Sequence, residues 1–139
     1  MRTLKILSLM LLAAIVGSCD TGDDIGDIFL DHPWTLSFIK EGTKITSPKQ
    51  GATYKMTFYD NTFVLTTAGG VDITGNWTVD NKKRTFRCSQ VRVSNGSIAR
   101  DSIAMKAEYI LNNARYYEGD ANWLQIQIQT NTFMQFHNK

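Results

Sequence analysis

The side chains most able to do chemistry in this 139-residue chain are two cysteines, two histidines and scattered carboxylates. His32 lies beside Pro33 and His137 lies close to the C-terminus, and neither has a partner at a spacing typical of metal ligands. Cys88 alternates in phase with Phe86, which favours a small buried thiol over a nucleophile. The sequence contains no Gly-x-Ser-x-Gly motif and no glycine-rich phosphate loop. It therefore predicts no catalytic residue, no metal site and no cofactor.

Aromatic side chains offer the better candidate site, since they make up 11% of the chain. Rings that point outward or line the mouth of a barrel bind apolar ligands or stack on the faces of sugars. Tyr116 and Tyr117 are neighbours and point to opposite sides of an extended segment, so at least one is expected on the surface. With Trp123 they form the candidate ligand-binding site. Alternation places Trp34 and Trp77 on buried faces, where we expect them to fill the core rather than bind a ligand.

The first 19 residues have the features of a secretion signal that ends in a lipid attachment site. The start is basic, residues 6–16 are apolar apart from Ser8, and residues 16–19 are Val-Gly-Ser-Cys. An apolar stretch of this length, at about 1.5 Å per residue, is too short to cross a ~30 Å hydrocarbon core. The ending resembles a lipobox, where bacterial lipoproteins are cleaved and lipidated. We expect a signal peptide over residues 1–18 and a lipid anchor on Cys19; the alternative is an ordinary signal peptide that leaves Cys19 as a plain thiol.

The segment after Cys19 is acidic and predicts a flexible tether over residues 20–30. Four aspartates fall within eight residues there: Asp20, Asp23, Asp24 and Asp27. A cation-binding site is the more specific alternative. The spacing of these aspartates does not match a calcium-binding loop, which needs alternating ligands, a central Gly and a distal Glu. The run also resembles the export signal of Bacteroidetes-type surface lipoproteins. We therefore expect the protein at the outer membrane, on its periplasmic side or at the cell surface.

Charge and length predict one folded domain over residues 31–139. Basic and acidic residues are almost balanced once the leader is removed, which does not favour a nucleic-acid partner. One dense basic cluster is expected in a turn between strands: Lys82, Lys83, Arg84 and Arg87. With Cys19 lipidated, Cys88 has no intrachain disulfide partner. The domain is therefore expected to be a monomer that depends on its apolar core.

Alternation of apolar and polar residues predicts a mainly β fold. The first strand is expected from Trp34, and residues 41–51 are expected to form a loop. Further strands are expected near residues 54–58, 63–65, 71–73, 75–79, 85–93, 123–129 and 132–137. Asn95-Gly96 favours a hairpin because both positions tolerate positive φ. About eight strands predict a small antiparallel β-barrel or a strongly coiled sheet.

Residues 101–114 break this alternation and predict one helix, which makes the fold α+β. Apolar residues recur there at helical spacing, without Gly or Pro. Asp101 or Ser102 is expected to cap the helix by accepting the first free amide hydrogens. Asp101-Ser102-Ile103 also resembles an O-glycosylation motif of Bacteroidetes-type envelope proteins. Ser102 is therefore a candidate O-glycosylation site as well as a candidate cap.

Several short motifs along the domain resemble those of a known group of envelope proteins. They are Trp-x-Leu at 34–36, Tyr-Lys-Met-Thr-Phe at 54–58, Gly-Asn-Trp-Thr-Val at 75–79, the late helix, and Met-Gln-Phe at 134–136. They are similar to META-type (HslJ-like) lipoproteins, although Ile-Thr-Gly-Asn at 73–76 replaces the Cys-Asn pair of that pattern. Lipocalin-like lipoproteins share the Gly-x-Trp and are the rival. The META-type resemblance implies a cell-envelope domain without established catalytic residues.

Two functions follow from these expectations. The first is a lipid-anchored, non-catalytic structural or protein-interaction module, held to the membrane through Cys19 and meeting an envelope protein partner. The second is a lipocalin-like carrier of a small apolar ligand or a glycan. A filled core favours the first and a ligand-sized void favours the second. The residues expected to decide this are Trp34, Phe58, Phe63, Trp77, Ile126 and Phe136.

Overall fold

The computed structural model describes residues 25–30 and 32–138. The predicted signal peptide, Cys19 and the first part of the acidic segment lie outside these residues. An N-terminal π-helix (Gly26–Leu30) comes first, and one α-helix, α1 (Ser102–Asn113), lies late in the chain. The strands are β1 (Trp34–Glu41), β2 (Lys44–Thr46), β3 (Lys55–Phe58), β4 (Thr62–Thr66), β5 (Asp72–Asp80), β6 (Thr85–Ser94), β7 (Tyr116–Gly119), β8 (Trp123–Gln129) and β9 (Thr132–His137).

The strands form one antiparallel sheet that closes on itself. Neighbours follow the order β2-β1-β3-β4-β5-β6-β7-β8-β9, and β9 also pairs with β1. The ring therefore contains every strand except β2, which pairs only with the end of β1. The pairing between β6 and β7 is short, because only one pair of residues, Thr85 and Tyr116, lies in register. The predicted mainly β fold with a strongly coiled antiparallel sheet and one late helix is confirmed.

Three local expectations about strands were wrong. The separate strands expected near residues 71–73 and 75–79 are the single strand β5. The loop expected over residues 41–51 contains β2, whose residues pair with the last three of β1. Asn95 and Gly96 do have positive φ, at 67° and 144°, yet they lead towards α1 rather than into a hairpin strand. A Cβ on Gly96 would lie 2.8 Å from Cγ2 of Val71, so this turn packs tightly on the start of β5. Dihedral preference predicted the turn but not the element that follows it.

The flexible tether expected up to residue 30 was also wrong for its last part. Residues 26–30 form the π-helix, in which Ile28 and Phe29 are fully buried. The Ile28 carbonyl accepts a hydrogen bond of 2.9 Å from Nε1 of Trp34. Burying two such apolar side chains contributes about 1.5–3 kcal/mol each, which offsets the cost of ordering an otherwise polar segment. The folded domain therefore begins before residue 31.

Phe29 lies at the centre of an aromatic cluster inside the ring of strands. Its ring centroid is 5.0 Å from those of Phe58 and Trp77. Tyr117 lies 5.1 Å away and Phe86 5.8 Å away. These separations are typical of favourable aromatic pairs. The N-terminal segment therefore fills this part of the interior with its own side chain.

Helix α1 packs against the same core. Its apolar face is buried at Ile103, Ala104, Ala107, Ile110 and Leu111. On its other side Lys106 forms an ion pair with Glu41 at the end of β1. The helix thus covers the sheet as expected. No helix within residues 25–30 and 32–138 is long and apolar enough to span a bilayer.

The residues expected to form the core are buried, which confirms the core interpretation for both early tryptophans. Every member of the expected set is at most 6% exposed. The indole Nε1 of Trp77 donates to the carbonyls of Tyr59 at 2.8 Å and Thr62 at 3.0 Å. Both buried indoles therefore have hydrogen-bond partners, as buried polar groups require.

Candidate functional site

The three candidate aromatic residues do not form one cluster. Tyr116 is 44% exposed, whereas the adjacent Tyr117 is fully buried. The Tyr117 hydroxyl donates a 3.0 Å hydrogen bond to Oδ1 of Asn81, so this side chain belongs to the core. Trp123 lies at the start of β8, further along the sheet from Tyr116. The expectation that one tyrosine of the pair is exposed is confirmed, and Tyr117 is not a free ligand contact.

Tyr116 and Trp123 nevertheless lie on the same outer face of the sheet. Tyr116 is directly opposite Gln127, which lies on β8 with Trp123 at even spacing. Directly opposed residues share a face, and so do residues i, i+2 and i+4 of a strand. Gln125 pairs with Gln135 and Gln127 with Phe133 on β9. We call this surface the amide face; its residues are Tyr116, Glu118, Trp123, Gln125, Gln127, Phe133, Gln135 and His137.

Side-chain amides are joined in a row across this face. Nε2 of Gln127 donates to Oε1 of Gln125 at 2.9 Å, and Nε2 of Gln125 donates to Oε1 of Gln135 at 2.8 Å. Gln127 is only 7% exposed. Its Oε1 accepts no hydrogen bond from the described residues. The hydrogen bonds of this row therefore hold the amides in fixed positions. The Oε1 of Gln127 remains as an acceptor at one end of the row.

A groove of about 420 Å³ adjoins this end of the amide face. It is lined by Arg84, Tyr116, Tyr117, Glu118, Gln127, Gln129 and Thr130. The guanidinium carbon of Arg84 lies 5.4 Å from the centroid of the Tyr117 ring, a cation–π distance. The Arg84 carbonyl also accepts a 3.0 Å hydrogen bond from the Tyr117 amide. These two contacts hold Arg84 at the wall of the groove. Trp123 does not line the groove.

Sequence reasoning identified one half of this surface and missed the other. Gln125, Gln127 and Gln129 were not among the candidate site residues. The signal was their strict alternation, which puts several side-chain amides on one face. Arg84 was assigned to a turn, which is where the structure places it, between β5 and β6. The contact of Arg84 with Tyr117 joins residues distant in sequence and leaves no local pattern.

The remaining reactive groups are not brought together. Burial raises the pKa of the Cys88 thiol to about 12, which keeps it protonated and poorly nucleophilic. The His137 Nδ1 lies 2.5 Å from Oγ of Ser37, and the His32 ring packs edge-on against Trp34. Among residues 25–30 and 32–138, no three His, Cys, Asp or Glu side chains are grouped to hold a metal ion.

Ser102 lies at the first position of α1 and its side chain is exposed. Asp101 is the N-cap, and its Oδ1 accepts a 3.0 Å hydrogen bond from the amide of Ala104. The two candidate caps are thereby distinguished, because the Ser102 hydroxyl is not needed for capping. O-glycosylation of Ser102 stays a prediction.

Comparison with known proteins gives a family and a fold. The model of a family described as a domain of unknown function (DUF4847) matches residues 20–138. A DUF4847 family protein from Bacteroides vulgatus has a similar crystal structure, with 23% identity, a TM-score of 0.63, and coverage of 84% of this chain and 98% of that one. A protein from Burkholderia xenovorans, solved by NMR, is 14% identical, with a TM-score of 0.58 and coverage of 86% and 95%. No curated protein matches the chain.

The expected membership of the META-type (HslJ-like) family was wrong, because the matched family model and the similar crystal structure are both those of DUF4847. The motifs quoted for that resemblance are short apolar strand patterns. Trp34, Met56 and Phe136, for example, are fully buried. Any small closed sheet needs large apolar residues at such alternating positions. Those motifs therefore indicated the fold class rather than the family.

Proposed function

We propose, from the premise that the chain belongs to the DUF4847 family, that it is a lipid-anchored, non-catalytic interaction module of the cell envelope. The lipid anchor would be carried by Cys19, and the described domain would act through its outer surface. The observation that carries the proposal is the position of Phe29, which fills the interior of the ring of strands.

The filled interior argues against the lipocalin-like alternative. A carrier needs an enclosed apolar space for its cargo, usually of several hundred Å³. Here Phe29 contacts four aromatic rings at 5.0–5.8 Å, so the room between those rings is already taken. An apolar ligand would have to displace the π-helix and break the bond between Trp34 and the Ile28 carbonyl. Binding on the outer surface avoids that cost.

The absence of an assembled catalytic group in the described domain supports the non-catalytic part of the proposal. Catalysis requires a nucleophile or base held within hydrogen-bond reach of its partner and oriented by a third group. Ser37 contacts His137, but no third group among the described residues orients this pair. Burial raises the pKa of the Cys88 thiol to about 12, so this thiol is poorly reactive.

Native mass spectrometry tests this proposal. The mature chain would be expressed in its own host as a soluble Cys19→Ser variant and measured before and after unfolding. We expect no apolar compound that survives extensive dialysis and leaves only on unfolding. Such a tightly held compound would contradict the proposal and favour the carrier.

Phe29→Ala supplies the control for this measurement. Removing the ring leaves an apolar cavity bounded by the aromatic cluster, and cavities of that kind bind small aromatic molecules. The variant should therefore take up indole where the parent protein does not. Circular dichroism would verify that the variant is folded, since the change costs about 3–5 kcal/mol of stability.

A further inference from the structure

We propose that the amide face binds an uncharged glycan chain laid along β8. This inference rests on the proposed function, since it names the class of partner that the outer surface meets. The face has two aromatic side chains at its ends and a hydrogen-bonded row of amides between them. Each of these features has a specific use in binding a sugar chain.

The aromatic residues set the length of the proposed ligand. Tyr116 is opposite Gln127, and Trp123 lies four residues from Gln127 along β8. At about 3.3 Å per residue, the two rings are about 13 Å apart along the strand. A single sugar cannot contact both. A short oligosaccharide can, with its apolar ring faces stacked on the aromatic residues.

The amides supply the polar contacts. A sugar hydroxyl both donates and accepts hydrogen bonds, and so does a side-chain amide. Gln125 and Gln127 are held in place by bonds of 2.8 and 2.9 Å, so little side-chain entropy is lost when a ligand binds. The Oε1 of Gln127 lacks a partner in the described residues and adjoins the groove beside Tyr116. This atom is the natural acceptor for a hydroxyl.

The charges on this surface favour a neutral ligand. Glu118 is directly opposite Gln125 and also lines the groove. An acidic sugar laid along the face would bring its carboxylate close to that of Glu118, and like charges at short range repel. Arg84 also lines the groove, where it can donate to hydroxyl oxygens. With one anion and one cation among its lining residues, the groove carries no net charge that would attract a polyanion.

The three tryptophans of the chain provide a built-in probe. Trp34 and Trp77 are buried, whereas Trp123 is partly exposed. Quenching of indole fluorescence by acrylamide therefore reports mainly on Trp123. A sugar stacked on this ring should protect it from the quencher.

The test is a titration of the soluble mature Cys19→Ser protein with cellohexaose, mannohexaose, maltohexaose and xylohexaose, with hexagalacturonate as the acidic probe. We expect saturable binding of at least one neutral hexasaccharide with protection of Trp123. Trp123→Ala and Tyr116→Ala should each weaken that binding at least tenfold, as measured by calorimetry. Tyr109→Ala is the matched control, because Tyr109 is 58% exposed on α1, away from the amide face. It should bind like the parent protein.

Three outcomes would overturn the inference: no binding of any neutral probe, binding of the acidic probe alone, or binding that both aromatic variants retain. None of these three titration results contradicts the proposed function, provided that native mass spectrometry finds no enclosed ligand and that Cys19 carries a lipid. Conversely, an enclosed apolar ligand would contradict the proposed function without affecting the titration. The two failures are therefore distinguishable.

Discussion

The contact between Tyr54 and Asp101 joins the residue before β3 to the N-cap of α1. The Tyr54 hydroxyl donates to both carboxylate oxygens of Asp101, each at 2.9 Å. Burial first, and then this hydrogen bond and the negative charge of Asp101, raise the pKa of Tyr54 to about 12. The phenol is therefore protonated in the folded protein at a pH where a free tyrosine, with a pKa of about 10, has begun to ionise.

Tyr54→Phe should lower the free energy of unfolding by about 1 kcal/mol at neutral pH, the usual worth of one hydrogen bond. The deficit should shrink above about pH 10, because the unfolded chain then loses the Tyr54 proton before the folded protein does. The stabilisation is thus complete below the pKa of the unfolded state and is lost as the pH rises towards 12. Urea denaturation of both proteins at about pH 7, 9 and 11 measures it. A deficit that is the same at all three values would contradict the assignment.

The positions of individual residues also explain why only half of the candidate site was predicted. Alternation correctly separated Tyr116 from Tyr117, since neighbouring side chains of a strand point to opposite faces. Which of the two faces outward depends on the partner strands and on Phe29, which packs against Tyr117 from a distant part of the chain. No local pattern carries that information.

At the scale of elements, α1 depends on one carboxylate at its N-terminus. Asp101 accepts a hydrogen bond from Ala104 and also holds the Tyr54 hydroxyl. Ser102, one residue later, is exposed, and its hydroxyl has no hydrogen-bond partner among the described residues. The neighbouring residues therefore have separate roles, and substitution distinguishes them.

Asp101→Ala should destabilise the protein by about 1–2 kcal/mol, because the helix loses its cap and Tyr54 loses its acceptor. Ser102→Ala should change stability by less than about 0.5 kcal/mol. In the native host it should also remove any O-linked glycan, which intact mass measurement detects as a loss beyond the single oxygen. Equal stability losses in the two variants would contradict the assignment of the cap. An unmodified parent protein would exclude glycosylation of Ser102.

Elements with long regular patterns were the ones the sequence predicted well. The helix at Ser102–Asn113 and the strand at Trp123–Gln129 follow from their apolar periods. The π-helix was missed because its aspartate and glycine content matches that of a linker, while only Ile28 and Phe29 are buried. Two adjacent buried residues are too few to form a period. Their burial depends on a pocket that other strands build.

At the scale of the whole molecule, the domain is filled by two elements outside the strands. Phe29 enters the aromatic cluster, and α1 packs its apolar face on the same core. The first of these elements follows the segment that leads from Cys19. A lipid on that cysteine would thus hold the domain close to the membrane, through the few residues between 19 and the π-helix.

Cys19→Ala should release the protein from the membrane fraction and remove the mass of the lipid. Each buried methylene contributes about 0.8 kcal/mol to anchoring, so two or three acyl chains hold a protein far more firmly than one. Cell fractionation and intact mass measurement of both forms test the expectation. A Cys19→Ala variant that stays with the membrane at the parent level would show that something other than the lipid holds it. A parent protein with an unmodified thiol would favour the ordinary signal peptide.

The pairing of β9 with β1 also determines when this protein can fold. The two strands lie at opposite ends of the domain, and Ser37 contacts His137 across a separation of 100 residues. Pairings between such distant segments are slow to form, because the intervening chain must be ordered first. The ring cannot close until the last strand has left the ribosome. Throughout synthesis, the nascent chain therefore keeps one edge of β1 without its native partner strand.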